Sequence, residues 1–212
     1  MSAQSDEDAI RQCLNGDSRG IEILAQRYQT TALRLAYLLV GNADTAQDII
    51  QESFIRAYHH LDQFHNNQPF APWFYRIIMN TARQYLRTPQ YQRERSLPLW
   101  FEAGNDQNAT DLLSQPELAA EQAEVHDTML KAMDSLTMKQ REVILLHYYL
   151  GYSDQESAML LGCSQNTVRQ RLFAGRKALE SIISKHYPWL IEGGLPLPQP
   201  PLHIAAEEAN NA

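Results

Sequence analysis

Two helix starts stand eleven residues apart in the stretch YSDQESAMLLGCSQNTVRQRLFAGRKAL, Tyr152 to Leu179, and few folds accommodate that spacing. Ser153 is a good N-cap, and Glu156 three residues on completes a capping box. The short helix that follows carries Ala158, Leu160 and Leu161 and stops at Gly162. Ser164 then caps a second helix, in which Val168, Leu172 and Leu179 keep an apolar stripe. Gln165, Asn166, Arg169, Gln170 and Arg176 fall largely on its other faces. A short helix, a tight turn and a longer basic, amide-rich helix make a helix-turn-helix. In that motif the second helix lies in the DNA major groove, where Arg suits guanine and Asn or Gln suits adenine. The competing reading is an ordinary helical hairpin with a solvated charged face.

The whole chain bounds what such a motif belongs to. Its 212 residues suit one or two small domains, and 44% hydrophobic content allows a real core. No apolar run is long enough for a membrane span, and the start lacks the charged-then-apolar pattern of a signal peptide. Cys13 and Cys163 have no ligand-like spacing, which points to structural thiols in a reducing cytoplasm and no metal. A net charge of −7 looks wrong for a nucleic-acid binder, but its distribution is uneven. From Glu102 to Asp134 eight acids face one Lys. From Ala71 to Trp100 five Arg stand against Glu94, and from Gln165 to Lys185 three Arg and two Lys stand against Glu180. Two basic segments thus flank an acidic one, a pattern that fits two nucleic-acid-facing modules on a solvated linker.

Taken in order, residues 1–15 are a frayed or short helical lead-in with no assigned function. From Gly20 to Val40, Ile21, Leu24, Tyr28, Leu35, Leu38 and Leu39 recur at helical spacing, and Gly41-Asn42 closes the helix. Asp44 to Phe64 is a second amphipathic helix with a buried stripe of Ile50, Phe54, Ala57 and Leu61. Asp44, Asp48 and Glu52 sit at successive four-residue steps with no intervening Lys or Arg, so one face gathers three carboxylates. Like charges so placed cost ~0.2–0.5 kcal/mol per pair. That face is a candidate docking surface for a basic partner; acids suiting the helix dipole explain Asp44 and Asp48 well and Glu52 poorly. His65 to Pro72 reads as a loop and Trp73 to Arg87 as helix. Trp73, Ile77 and Ile78 face inward there, and Arg76, Arg83 and Arg87 lie near one another. Aromatics among cations are what single-stranded nucleic acid needs, although most of these aromatics belong to a core. Thr88 to about Glu121 is an aperiodic linker in which Leu99, Trp100 and Phe101 form a docking point. Val125, Met129, Met133 and Leu136 resume a helix, and Thr137 with Gln140 makes a second capping box. Val143 to Leu150 has the composition of a buried strand, but its capping signals and helical surroundings decide for helix. Beyond Lys185 the run LPLPQPPL and a small polar end read as a Pro-rich, disordered tail.

Three strings in one order carry a family likeness. DIIQESFIRAY, Asp48 to Tyr58, is similar to a polymerase-binding helix; FAPWFYRIIMNTARQYLR, Phe70 to Arg87, is similar to a helix that reads minus-ten promoter elements. Leu136 to Leu179 resembles a minus-thirty-five-reading domain. The chain resembles the sigma-70-type initiation factors of bacterial RNA polymerase, in the small extracytoplasmic-function (ECF) group. The resemblance implies an all-α fold of two small helical domains. Residues 16–88 would form the first, 89–124 an acidic linker, 125–186 the second and 187–212 the tail. It implies that Asp48, Gln51 and Glu52 dock on the clamp helices of the polymerase's largest subunit, with the flap a further contact. Asn66, Asn67, Trp73, Arg76, Asn80, Arg83 and Arg87 would bind the melted minus-ten element. Gln165, Asn166, Thr167, Arg169, Gln170, Arg171 and Arg176 would bind the minus-thirty-five duplex. The linker would enter the polymerase's RNA channel. An anti-sigma factor that holds the cytoplasmic protein near the membrane is a family expectation. Two features depart from the family pattern: Gly or Pro is often found near the position of Asn166, and the tail beyond Tyr187 is additional.

No nucleophile–base pair, metal-ligand spacing or phosphate-binding Gly loop is present, so the sequence predicts a factor without catalytic residues, metal or cofactor. The alternative is a helix-turn-helix regulator of the response-regulator type acting on duplex operators. Its first half would alternate strands and helices, whereas Gly20 to Arg87 reads as all helix. A third possibility keeps the fold but only sequesters partners, against which Arg169, Arg171 and Arg176 argue.

Overall fold

The computed structural model describes residues 5–64, 68–89, 91 and 131–186. The chain divides into two compact units, Met1–Pro116 and Glu117–Ala212. The described residues are helical or irregular, with no strand among them.

The N-terminal unit packs four helices: α1 (Asp6–Leu14), α2 (Arg19–Val40), α3 (Ala43–His59) and α4 (Phe70–Leu86). The lead-in is a full element. Ser5 caps α1 by accepting from the Asp8 N–H, and Ala9, Ile10 and Cys13 are buried. Helix α1 packs on α2, where a side chain at Gly20 would place its Cβ 2.2 Å from the Ala9 carbonyl and 2.6 Å from the Cys13 sulfur. Gly20 is therefore what lets the two backbones approach. Burial pushes the Cys13 thiol pKa up, and both cysteines are free.

Helix α2 ends at Gly41, whose φ of 75° is the left-handed conformation of a Gly C-cap. Asn42 then caps α3 through the Thr45 N–H at 2.8 Å. Helix α3 stops at His59 rather than running to Phe64, and Leu61–Gln63 forms a separate 3-10 turn. That turn still buries Leu61, the last residue of the expected stripe. Helix α4 begins at Phe70, three residues before the expected start. Pro72 falls in its first turn, where an N–H has no intrahelical acceptor in any case, so the proline opens the helix instead of breaking it. Helices α2, α3 and α4 pack on one another around Leu24, Leu35, Leu39, Ile49, Phe74 and Ile78. Tyr91, expected in the linker, is 2% exposed; its ring lies 5.6 Å from Tyr85 and its hydroxyl donates to the Val40 carbonyl.

The described part of the C-terminal unit starts with helical residues 131–134, where Ala132, Met133 and then Leu136 are buried. The expected Val125 and Met129 positions lie outside the described residues. Thr137 and Gln140 form the predicted capping box at the start of α5 (Met138–Ile144). The helix does not run straight to Leu150. Leu145–Tyr149 widens into a π turn, with the Leu150 N–H on the Leu145 carbonyl. The extra residue goes with Leu145, Leu146 and Leu150 all being buried while His147 and Tyr148 are half-buried. Arg141 is 4% exposed and donates to the Asp134 carbonyl at 2.9 Å and its carboxylate at 3.1 Å, tying residues 131–136 to α5. Helix α6 (Asp154–Leu161) has the predicted Ser153–Glu156 capping box, and Gly162 ends it at φ 64°. Helix α7 (Gln165–His186) packs on α5 and α6 through Val168, Leu172, Gly175, Leu179 and Ile183.

Candidate nucleic-acid and polymerase interface

Helix α4 sorts its side chains by turn. Phe74, Tyr75, Ile78, Met79 and Ala82 are buried, so of the aromatics that stand among the arginines, Trp73, Phe74, Tyr75 and Tyr85, two belong to the core. Trp73, Arg76, Asn80, Arg83 and Arg87 recur at steps of three and four and so form one stripe. Arg76, Asn80 and Arg87 are exposed, and Arg83 donates to the Asn80 side chain at 2.8 Å. Trp73 and Ile77 are half-buried rather than fully inward. The Trp73 ring packs on Phe64 and Phe70 at 5.2 and 5.6 Å and stands half-buried at the head of the stripe. Asn66 and Asn67 lie outside the described residues.

A second feature of this unit is an open groove of about 450 Å³ between α3 and α4. Asp48, Gln51, Glu52, Ile55 and Arg56 line it from α3, and Thr81, Gln84 and Tyr85 from α4. Asp48, Gln51 and Glu52 are exposed, as are Ile55 at 46% and Tyr58 at 37%. The acidic row ends differently from the expectation. Arg56, one turn beyond Glu52, pairs with it at 2.7 Å and also donates to Gln84 at 2.6 Å. The α3 face is thus a mixed strip, acids followed by apolar Ile55 and Tyr58, with its last acid paired. Ile55 and Tyr58 continue the four- and three-residue steps from Gln51, the signal that places them on the same strip.

In the C-terminal unit, Ser164 Oγ accepts from the Thr167 N–H at 3.1 Å and fixes the start of α7. Gln165, Asn166, Arg169, Gln170 and Arg176 are exposed, whereas Thr167 and Arg171 are half-buried. Phe173 is 70% exposed beside them, a residue the apolar-stripe reading passed over. The arginines lean on other elements. The Arg169 Nε donates to Asp154 at 3.0 Å, Arg171 approaches the Cys163 sulfur at 3.9 Å, and Arg176 lies 6.0 Å above the Tyr148 ring. All are cations or amides with donors for base edges and phosphates.

Among the described residues no group of His, Cys, Asp and Glu is placed to hold a metal, and no helix is long and apolar enough to cross a membrane.

Known proteins match in the same two places. Residues 24–91 match the family "Sigma-70 region 2" and residues 126–179 match "Sigma-70, region 4". The RNA polymerase sigma-H factor of Pseudomonas aeruginosa is 29% identical over 188 residues, 86% of this chain and 96% of that protein. The ECF RNA polymerase sigma-E factor of Salmonella typhimurium is 33% identical over 187 residues, 85% of this chain and 96% of that one. Among solved structures, CnrH in complex with the cytosolic domain of CnrY aligns with a TM-score of 0.62 at 22% identity. That alignment covers 86% of this chain and 99% of CnrH. RpoE of Bartonella quintana, solved with the anti-sigma factor NepR, aligns at 0.54 and 22% identity over 76% of this chain and 96% of its own. The structures share the all-α fold; the sequence relatives and the two matched regions fix the family. The chain belongs to the sigma-70 family, in its ECF group, and is a transcription initiation factor that directs RNA polymerase to promoters.

Proposed function

We propose that the two units divide promoter reading between them while the α3 strip holds the protein to core RNA polymerase. Residues 16–88 act as the polymerase-binding and minus-ten module, 125–186 as the minus-thirty-five module, and 89–124 and 187–212 as linker and tail. Asp48, Gln51 and Glu52 meet the clamp helices of the largest subunit, with Ile55 and Tyr58 supplying apolar area, and the flap is a further contact. The α4 stripe from Trp73 to Arg87, with Asn66 and Asn67, holds the melted minus-ten strand. Gln165, Asn166, Thr167, Arg169, Gln170, Arg171 and Arg176 meet the minus-thirty-five duplex. The observation that carries this reading is that each unit turns one stripe of arginines and amides outward from its core.

The chemistry is binding rather than turnover. The factor has no catalytic residue and works in the cytoplasm. An acidic chain of net charge −7 binds promoter DNA weakly by itself. Tethering both stripes to polymerase raises their effective concentration at the promoter and offsets that weakness. CnrH and RpoE were each solved in complex with a second protein, in RpoE's case an anti-sigma factor, which supports a sequestering partner for this chain as well.

In vitro transcription with core polymerase tests the docking assignment. Gln51→Ala with Glu52→Ala is expected to lower promoter-specific transcription by roughly tenfold or more, since interface anchors of this kind cost more than about 1 kcal/mol when truncated. Because Glu52→Ala also releases Arg56, Arg56→Ala serves as the control and retains most activity. Intact transcription in the double variant would show that α3 is not the docking helix.

A further inference from the structure

The contact between Arg169 and Asp154 joins the two helices of the helix-turn-helix. Arg169 is one turn into α7, and Asp154 is the first residue of α6. The Nε of Arg169 donates to Oδ2 of Asp154 at 3.0 Å, with the side chains 61% and 25% exposed. Exposed ion pairs add little to stability, so holding the fold together is a poor account of this one. An acid in the first turn of α6 suits the helix dipole, but that does not require Arg169 to lie across it.

The geometry of the guanidinium is more telling. An arginine reads guanine through two parallel donors, either its two Nη groups end-on or Nε with one Nη side-on. With Nε occupied by Asp154, only the end-on fork is available. The carboxylate also cancels the local charge, which weakens Arg169 as a phosphate contact while leaving its donors for a base edge.

We infer that Asp154 is a specificity-determining positioning residue: by holding Nε of Arg169 it orients the Nη fork of a recognition-helix arginine toward a base edge and away from the phosphates. The inference rests on the proposal that α7 reads the minus-thirty-five duplex. It adds the residue that decides how one of its arginines reads.

The test uses the full chain with core polymerase. Competition binding is measured on promoter duplexes carrying each of the four bases at every position of the minus-thirty-five element, then repeated over a salt series. Arg169→Ala is expected to relax preference at one position by roughly tenfold. Asp154→Ala relaxes the same position by roughly three- to tenfold, with little further loss when combined with Arg169→Ala. Asp154→Asn keeps an acceptor for Nε and retains most of that preference. Asp154→Ala also steepens the salt dependence, by up to about one unit of slope, as Arg169 becomes available to phosphate. A merely structural role for Asp154 would lower binding equally at all positions and leave the preference unchanged. That result would overturn the inference while the reading of α7 stands, as would equal relaxation in the Ala and Asn variants. If Arg169→Ala left every preference intact, Arg169 would not be a base reader and both would fall.

Discussion

The C-terminal unit holds its α7 arginines against neighbouring elements, whereas the N-terminal unit carries its α4 arginines as a stripe above an aromatic core. Arg169, Arg171 and Arg176 lean on Asp154, Cys163 and Tyr148, which belong to α6, the turn and the π segment. On α4, Arg83 bonds Asn80 one turn back on its own helix, and Arg76 and Arg87 are exposed. A contact from another element fixes where a guanidinium points; the exposed Arg76 and Arg87 are able to re-sort along the stripe. Duplex DNA offers a fixed pattern of donors and acceptors and favours fixed forks. A single strand has to be gathered, and adaptable cations beside an indole suit that task. The contrast accounts for the same residue type serving two kinds of nucleic acid in the proposed function.

The contrast assumes that each unit stands on its own core, and the largest expected effect attacks that assumption. Arg141 is buried with two carbonyls and the Asp134 carboxylate as acceptors, and Glu142 beside it is 1% exposed. Truncating so buried a side chain leaves a cavity as well as unpaired acceptors and costs about 2–5 kcal/mol. Arg141→Ala is expected to strip hydrogen-exchange protection from α5, α6 and α7 while α2, α3 and α4 keep theirs. A parallel loss in both units would mean that they do not fold as separate bodies.

A smaller effect compares the closest helix contacts of the two units. At Gly20 an added methyl meets the Ala9 backbone carbonyl at 2.2 Å, which cannot yield without moving α1. At Gly175 the nearest atom is Ile144 Cγ1 at 3.2 Å, a side-chain atom that has to give by only a few tenths of an ångström. Gly20→Ala is expected to destabilise the N-terminal unit by about 1–3 kcal/mol, the range for overpacking. Gly175→Ala should stay within ~1 kcal/mol, because the helix-propensity gain of Ala over Gly offsets the tighter contact. Denaturant midpoints followed through each unit separate the two; equal losses would remove the distinction between a backbone-limited and a side-chain-limited contact.

The two units also differed in how much their sequences disclosed. In the C-terminal unit the boundaries are written locally: Thr137 with Gln140, Ser153 with Glu156, Gly162 and Ser164 each act within four residues, and each sits where the pattern placed it. The π turn escaped because an i to i−5 bond is a result of packing Leu145, Leu146 and Leu150 together. In the N-terminal unit the decisive contacts span long stretches of chain. Tyr91 reaches Val40, and Asp6 reaches Arg27 and Tyr28, so neither the burial of Tyr91 nor the integration of α1 had a local signature. Pro72 falls within the stretch that reads as a loop, because its place in a first turn depends on where α4 begins. For the candidate site, helical spacing was enough to place the exposed stripes. Arg56 stands one four-residue step beyond Glu52, so that pairing was within reach of the same spacing, whereas the hold of Asp154 on Arg169 was not, because it depends on rotamers and on the angle between two helices.

The smallest effect probes the α1–α2 junction, a half-buried polar contact of the kind that ties the N-terminal unit together over distance. The Tyr28 hydroxyl and the Arg27 guanidinium both donate to the Asp6 carboxylate, and the Tyr28 ring packs on Phe70 and Phe74. Burial first, and then the Asp6 carboxylate, holds the Tyr28 phenol protonated far above its ordinary range. In the unfolded chain the same phenol ionises near pH 10, or about 10. Below that pH both states carry the proton and the contribution to stability is complete. Above it the unfolded state loses the proton while the folded state keeps it, so stability falls as pH rises. Cys13, also raised by burial, adds a slope of the same sign that begins nearer about 8.5 in the unfolded chain. Tyr28→Phe keeps the ring contacts and removes only the phenol. The fall in melting temperature of the N-terminal unit between about pH 9 and pH 11 should therefore be shallower in Tyr28→Phe than in the parent, with the Cys13 share left in place. An unchanged slope would mean that the Tyr28 phenol is neither buried nor held by Asp6 in solution, and the junction of α1 with α2 would then rest on Gly20 and its apolar neighbours.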